Sequence, residues 1–165
     1  MRIVAAVVAC LALAGAAQAA EPGWTPLSWL VGDWKGEGGG VETGRGGFSF
    51  TPEAGGQVLV RKNFAAYPAQ NGKPASRHDD LMVIAGDAGR LRATYWDSEG
   101  RTIHYAVTEA TADHVLFLSD DPAGPRFRLS YRKTPNGLTG RFEIAPPSAR
   151  NQFRDDLTWT ATRAR

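Results

Sequence analysis

Short segments in which apolar and polar residues alternate fill most of this chain. In the segment 127–132, phenylalanine, leucine and tyrosine at odd positions alternate with arginine, serine and arginine at even positions. Alternation with a period of two is typical of strands that bury one face of a sheet. Ten segments are predicted as strands on this basis: 34–38, 48–51, 57–64, 79–85, 91–96, 102–108, 114–118, 127–132, 138–144 and 153–162.

The residues between these segments are typical of tight turns. Pro135-Asn136-Gly137 predicts a hairpin, because Asn-Gly accepts the positive φ angles of short hairpin loops. No pattern of helical length separates the strands, so parallel crossovers are not expected. A meander of half-apolar strands exposes its edges unless it closes. The sequence therefore predicts an all-β fold, a single antiparallel up-and-down β-barrel of about ten strands.

A short helix is predicted immediately before the first strand. Thr25 is suited to cap it, Pro26 suits its first position, and Gly32 suits a left-handed stop. A helix this short is marginal by itself, so its apolar side chains must pack on something larger. We expect it to plug one end of the barrel.

The first residues have the pattern of a secretory signal peptide. Arg2 precedes an almost entirely apolar stretch, and Ala17-Gln18-Ala19 offers small residues at a cleavage position. We expect a signal peptide over 1–19, a barrel domain over 20–165, and a periplasmic or secreted protein. Cys10 lies in a loose lipoprotein-like box, and its acylation stays open as an alternative.

Charge and cysteine content exclude several classes of protein. Loss of Arg2 would leave 18 basic against 17 acidic residues, with both signs interspersed. This balance favours neither nucleic acid binding nor a polybasic membrane patch, and no later segment predicts membrane insertion. Removal of 1–19 would also remove the single cysteine, so stability must come from a packed core rather than from disulfides.

The stretch Trp29–Gly38, with Gly32-x-Trp34-x-Gly36-x-Gly38 inside it, resembles the first strand of calycin barrels, which include lipocalins and fatty-acid-binding proteins. It is most similar to the nitrobindin-type barrels of uncharacterised secreted bacterial proteins. In calycins the matching tryptophan plugs the closed end beneath an arginine from the last strand. The resemblance thus implies that Trp34 packs under Arg163, with Arg165 as the alternative, in a structural role.

Nitrobindin-type proteins bind haem through a late histidine, and this chain departs from that pattern. Its histidines are His78, His104 and His114, and none follows position 114. Haem iron needs a proximal ligand, so no cofactor is expected. His104 or His78 would be the substitute ligand if haem did bind.

Other candidate chemistry is weak. Arg77-His78-Asp79-Asp80 is the most metal-like cluster, since His78 and Asp80 share one strand face, but a polar barrel rim is the favoured interpretation. No Gly-x-Ser-x-Gly elbow is present, and a set of Ser130, His104 and Asp80 has no specific spacing. We predict neither a metal site nor catalytic residues.

Polar residues inside an otherwise apolar barrel are the candidates for ligand binding. Tyr95 and Tyr105 share the parity of apolar neighbours and are predicted to point inward. For Arg61 and Arg128 the alternation favours an outward position, although an inward arginine opposite a tyrosine would suit a carboxylate. The complete candidate set is Tyr95, Tyr105, Tyr131, Arg61, Arg128 and His104.

Three functions stay open. The leading hypothesis is non-enzymatic binding of a small, mostly apolar molecule inside the barrel. One alternative is a protein–protein or envelope-assembly module with a filled barrel and functional loops at 67–77 or 146–151. The other is a lipocalin-like isomerase or hydrolase that places His104 beside Tyr95 or Tyr105. The volume and lining of the barrel interior discriminate among them.

Overall fold

The computed structural model describes residues 23–38, 44–70 and 72–164, and these form ten strands after one short helix. The predicted strand number is confirmed, with most strands a few residues longer than expected. The strands are β1 Gly32–Gly38, β2 Arg45–Glu53, β3 Val58–Tyr67, β4 Ser76–Asp87, β5 Arg90–Asp97, β6 Thr102–Ala110, β7 His114–Ser119, β8 Arg126–Thr134, β9 Gly137–Ala145 and β10 Arg154–Arg163.

The sheet closes on itself, which confirms the predicted fold class. Each strand pairs antiparallel with its sequence neighbours, and β1 also pairs with β10. The barrel closes at β1, where Trp34 lies opposite Phe48 of β2 on one side and Arg163 of β10 on the other. A closed ten-stranded antiparallel barrel is consistent with a calycin-like fold.

The barrel has two distinct ends. The plugged end carries the helix and the turns that join β2 to β3, β4 to β5, β6 to β7 and β8 to β9. The open end carries the connections β3–β4, β5–β6, β7–β8 and β9–β10. Every strand therefore runs from one end to the other, and side chains two positions apart line the interior at successive depths.

The plug helix, Thr25–Leu30, is a 3₁₀ helix. Leu27 and Leu30 are fully buried, which is why so short a helix can form. The expected cap at Thr25 is wrong: Trp24 occupies the N-cap position, with no side-chain cap. Instead the indole of Trp24 donates a hydrogen bond to the Gly56 carbonyl at 2.9 Å and fixes the helix to the β2–β3 turn.

Trp34 lies beneath this helix and is 5 % exposed. The guanidinium carbon of Arg163 is 4.0 Å from the centre of the Trp34 ring, and Arg163 also donates to the Val31 carbonyl and, at 2.9 Å, to the Trp29 carbonyl. The two residues that the resemblance pairs are thus in contact. Arg165, the alternative partner, lies outside the described residues.

Of the two expected loops, the one over 67–77 is shorter than predicted, and the one expected over 146–151 is slightly longer, since it spans 146–153 between β9 and β10. Pairing of β3 with β4 extends to Tyr67 and Ser76, and a further bridge joins Gln70 to Lys73. The segment before β10 contains a 3₁₀ turn at Pro147–Ala149. The signal peptide expected over 1–19 lies outside the described residues. Within the described part of the chain, no helix has both the length and the apolar character needed to cross a membrane.

Candidate functional site

A cavity of about 310 Å³ occupies the open half of the barrel, and its two sides differ in chemistry. One side, here called the apolar wall, comes from β8, β9 and β10. It consists of Phe127, Leu129, Phe142, Ile144, Leu157 and Trp159. The other side, the polar wall, comes from β3 to β6 and the β5–β6 turn. It consists of Arg61, Asn63, His78, Asp80, Tyr95, Asp97, Arg101 and Tyr105.

Strand alternation places the polar wall inside. On β3 the inward residues are Leu59, Arg61 and Asn63, and Asn63 lies opposite Asp80 of β4. Asp80 lies in turn opposite Asp97 of β5. Because inward positions on paired strands are adjacent, one polar residue per strand is enough to assemble a continuous polar surface.

Arg61 and Asp80 form a buried ion pair at the centre of this wall. The guanidinium Nη1 lies 2.5 Å from Asp80 Oδ1, and the two side chains are only 6 % and 4 % exposed. Asn63 donates a second hydrogen bond to Asp80 at 2.7 Å. The rings of Phe48 and Tyr131 lie 5.7 and 5.9 Å from the Arg61 guanidinium carbon. These contacts fix the arginine deep inside the barrel rather than at its rim.

His78 links this pair to the mouth of the cavity. Its Nε2 lies 3.2 Å from Asp80 Oδ2 and 3.3 Å from the Tyr95 hydroxyl. Its Nδ1 lies 2.8 Å from Glu99 Oε2. The imidazole therefore bridges a buried carboxylate and an exposed one. Tyr95 donates onward to Asp97 at 3.2 Å, so the network continues along β5.

Arg101 closes the network at the rim. It donates to Asp97 at 2.6 Å and to Glu99 at 2.9 Å. Burial acts to raise the pKa of Asp97, but the backbone N–H and guanidinium of Arg101 outweigh it and hold that pKa below its usual value. Hydrogen bonds from His78 and then Arg101 likewise lower the pKa of Glu99. Both carboxylates are therefore stabilised in their ionised form.

The tyrosines of the site are held neutral. Burial raises the pKa of Tyr131 to about 12 and also raises the pKa of Tyr105 and Tyr95, with Asp80 and Asp97 adding to the effect at Tyr95. A buried phenol resists ionisation because the low-dielectric interior disfavours its charged form. These hydroxyls are hydrogen-bond donors and acceptors, not bases.

Three side chains at the mouth of the cavity are of types that bind metal ions, but the two carboxylates among them already pair with an arginine. His78, Asp97 and Glu99 each bring one ligand atom within 4.8 Å of the others. The Arg101 guanidinium contacts both carboxylates, so a cation could bind only if Arg101 moved away. The predicted polar rim describes this arrangement better than a metal centre does.

The structure separates the six sequence candidates into three groups. Tyr95, Tyr105 and Arg61 line the cavity, as predicted for the two tyrosines. The outward expectation for Arg61 is wrong, since its side chain is buried and pairs with Asp80. Both faces of β3 carry apolar residues, so the alternation did not distinguish them. Tyr131 points into the barrel, is fully buried and packs behind the cavity lining.

Arg128 and His104 do not line the cavity. Arg128 lies on the outer face, as the alternation predicted, where it pairs with Glu143 and stacks 4.3 Å from the ring centre of Phe153. His104 precedes the inward Tyr105 on β6 and is exposed on the outer face of the barrel. Its Nδ1 lies 3.3 Å from the Thr94 hydroxyl. The predicted cluster of His104 with an inward tyrosine is therefore wrong, and His78 takes the inward position.

Sequence reasoning missed Asn63, Asp97 and Arg101 as parts of the site. A parity signal was available for two of them, since Asn63 shares the face of Arg61 and Asp97 that of Tyr95. Comparison with known protein families finds no matching family model, and no curated protein is significantly similar to the chain.

Proposed function

We propose that this protein binds a small, mostly apolar molecule in the cavity at the open end of the barrel. The observation that carries the proposal is the cavity itself, about 310 Å³ with one apolar and one polar wall. Ligand pockets typically combine apolar walls with a few placed polar groups, and volumes near 300 Å³ are at their lower limit.

The arrangement of the two walls favours a molecule with one polar end. The apolar wall offers three aromatic side chains, Phe127, Phe142 and Trp159, and the rings of the first two are stacked with their centres 5.7 Å apart. Phe48 of β2 also lines the cavity. Arg45, Arg101 and Asp156 line the cavity and are exposed, so it reaches the surface at the open end. A ligand would enter there and lay its apolar part against β8 to β10.

Membership of the calycin superfamily, and export to the periplasm or beyond the cell, are parts of the same proposal. The barrel topology and the contact between Trp34 and Arg163 support the first. The sequence pattern of 1–19 supports the second. A filled-barrel assembly module is less well supported, because a cavity occupies the half of the interior that such a module would fill with side chains.

The test is to recover a ligand. Purified protein is incubated with a lipid extract of cell envelope, re-isolated, and extracted for mass spectrometry. We expect a bound molecule of small size in stoichiometric amount. Absence of any retained compound, together with a protein that stays folded, would reject the proposal.

Two adjacent alanines provide the matched variants. Ala65 lines the cavity, whereas Ala66 lies on the opposite face of β3. Ala65→Phe should fill the cavity and abolish retention, and Ala66→Phe should retain the ligand like the natural protein. Equal retention by both variants would place the ligand outside the barrel.

A further inference from the structure

The charges that line the cavity cancel. Three arginines, Arg45, Arg61 and Arg101, face three aspartates, Asp80, Asp97 and Asp156. The two deeper arginines have their own carboxylates, Arg61 with Asp80 at 2.5 Å and Arg101 with Asp97 at 2.6 Å. The polar wall therefore offers no uncompensated cation for an anionic head group.

A carboxylate head group would be opposed at the centre of the wall. It would lose its hydration on entering, and it would meet the buried Asp80 beside the Arg61 guanidinium. Two carboxylates sharing one cation repel each other unless one takes up a proton. The resemblance to fatty-acid-binding barrels thus does not extend to the charge of the ligand.

The same centre has hydrogen-bond donors without partners. Among the described residues, the Nε of Arg61 and the hydroxyl of Tyr131 are buried and make no hydrogen bond. Arg61 is 5 % exposed and lines the cavity, and the Tyr131 ring packs beside its guanidinium. A buried donor without a partner is destabilising, so a molecule that supplied an acceptor would recover that free energy.

The chemistry of the unpaired groups specifies the head group. A guanidinium N–H can only donate, so its partner must accept. We propose, on the basis of the binding function above, that the ligand has an uncharged acceptor oxygen, as in an ester or ketone, that accepts from Arg61 Nε while its hydrocarbon part lies on the apolar wall. At roughly 30 Å³ per heavy atom, the volume of a water molecule in the liquid, the cavity admits on the order of ten heavy atoms.

Three probes of about ten heavy atoms each test this by calorimetric titration of the full chain at pH 8. Methyl heptanoate has a neutral acceptor, octanoate is its charged counterpart, and butylbenzene has no polar atom. We expect methyl heptanoate to bind with a Kd at least about tenfold lower than either other probe, equivalent to about 1.4 kcal/mol.

The possible outcomes separate the two proposals. Octanoate binding as tightly as the ester would overturn the neutral head group while leaving the binding function intact. Butylbenzene binding as tightly would show that Arg61 Nε contributes nothing, and would overturn it too. Binding of none of the three would contradict the proposed function itself.

The variant Arg61→Lys tests the contribution of the Nε–H donor to ligand binding. The substitution keeps a cation for Asp80 and removes the Nε–H, so the preference for the ester should fall to about threefold or less. Arg128→Lys, on the outer face of the barrel, is the matched control and should keep the full preference for the ester. An unchanged preference in a folded Arg61→Lys protein would overturn the assignment, and the comparison of probes on the natural chain stands if that variant does not fold.

Discussion

The plugged end and the open end of the barrel are built from the same strands but bury opposite chemistry. Below the middle of the barrel, Trp34, Phe48 and Phe50 pack in sequence, with ring centres 6.1 and 6.0 Å apart. Above it, an arginine, an aspartate and a histidine form a hydrogen-bonded wall around a cavity. We expect the first arrangement to supply most of the stability, so that the second can remain incompletely packed.

This comparison shows why the open end is the place for function. In a close-packed apolar end each contact stabilises the folded state, and the packing holds each side chain in place. A polar wall beside an empty volume gains less, because its charges must be desolvated before they pair. Variants at the two ends should therefore differ in what they change.

The largest effect is expected at the packed end. Phe50 is fully buried and packs edge-to-face against Tyr131 at 5.7 Å. Phe50→Ala should lower the free energy of unfolding by about 3–5 kcal/mol, measured by urea denaturation, because it leaves a cavity in a close-packed core. Phe64→Ala, at a half-buried position on β3, is the control and should cost clearly less. Equal costs would mean that the plugged end is not the stabilising half.

The next effect is expected at the polar wall. Asp80→Asn should cost about 3 kcal/mol, because it leaves the charge of Arg61 buried and uncompensated. Replacing both partners, with Arg61→Met and Asp80→Leu together, should cost less than Asp80→Leu alone. A double variant that is as unstable as the sum of the two single variants would show that Arg61 and Asp80 are not energetically coupled, and would contradict this prediction.

A smaller effect is expected at the plug contact. Arg163→Met should cost about 0.5–2 kcal/mol, measured in the same denaturation experiment, because it removes the cation–π contact with Trp34 and the hydrogen bonds to the Val31 and Trp29 carbonyls. Arg154→Met, at an exposed position on the same strand, should leave stability nearly unchanged. If both variants behave alike, the contact with Trp34 carries no stability.

The smallest effect is a dependence of stability on acid pH. The folded pKa values of Asp97 and Glu99 lie below their ordinary values of about 4, so their contribution is present above about pH 5 and is lost as the pH falls through 4 and below. Arg101→Gln should flatten this part of the profile of Tm against pH, since it removes a donor to both carboxylates. A profile of unchanged steepness would contradict the contribution of Arg101 to the lowered pKa values of Asp97 and Glu99.

The sequence by itself determined the strands, the closure and the plug. Period-two alternation and turn residues act locally, so they are readable wherever one face is polar and the other apolar, as in 127–132. The contact of Arg163 with Trp34 followed from the resemblance and is present in the structure. The inward positions of Tyr95 and Tyr105 were readable for the same local reason.

Only the tertiary structure decided which face of β3 is interior and what the polar wall is. Val58 and Val60 make one face of that strand apolar, and Leu59 makes the other face partly apolar. An isolated buried charge is unfavourable, so the face that carries Arg61 was predicted to point outward. Its burial becomes tolerable through Asp80, which is 19 positions away in sequence and one strand away in the barrel. A pairing of that kind depends on register between strands, and register is a property of the folded chain.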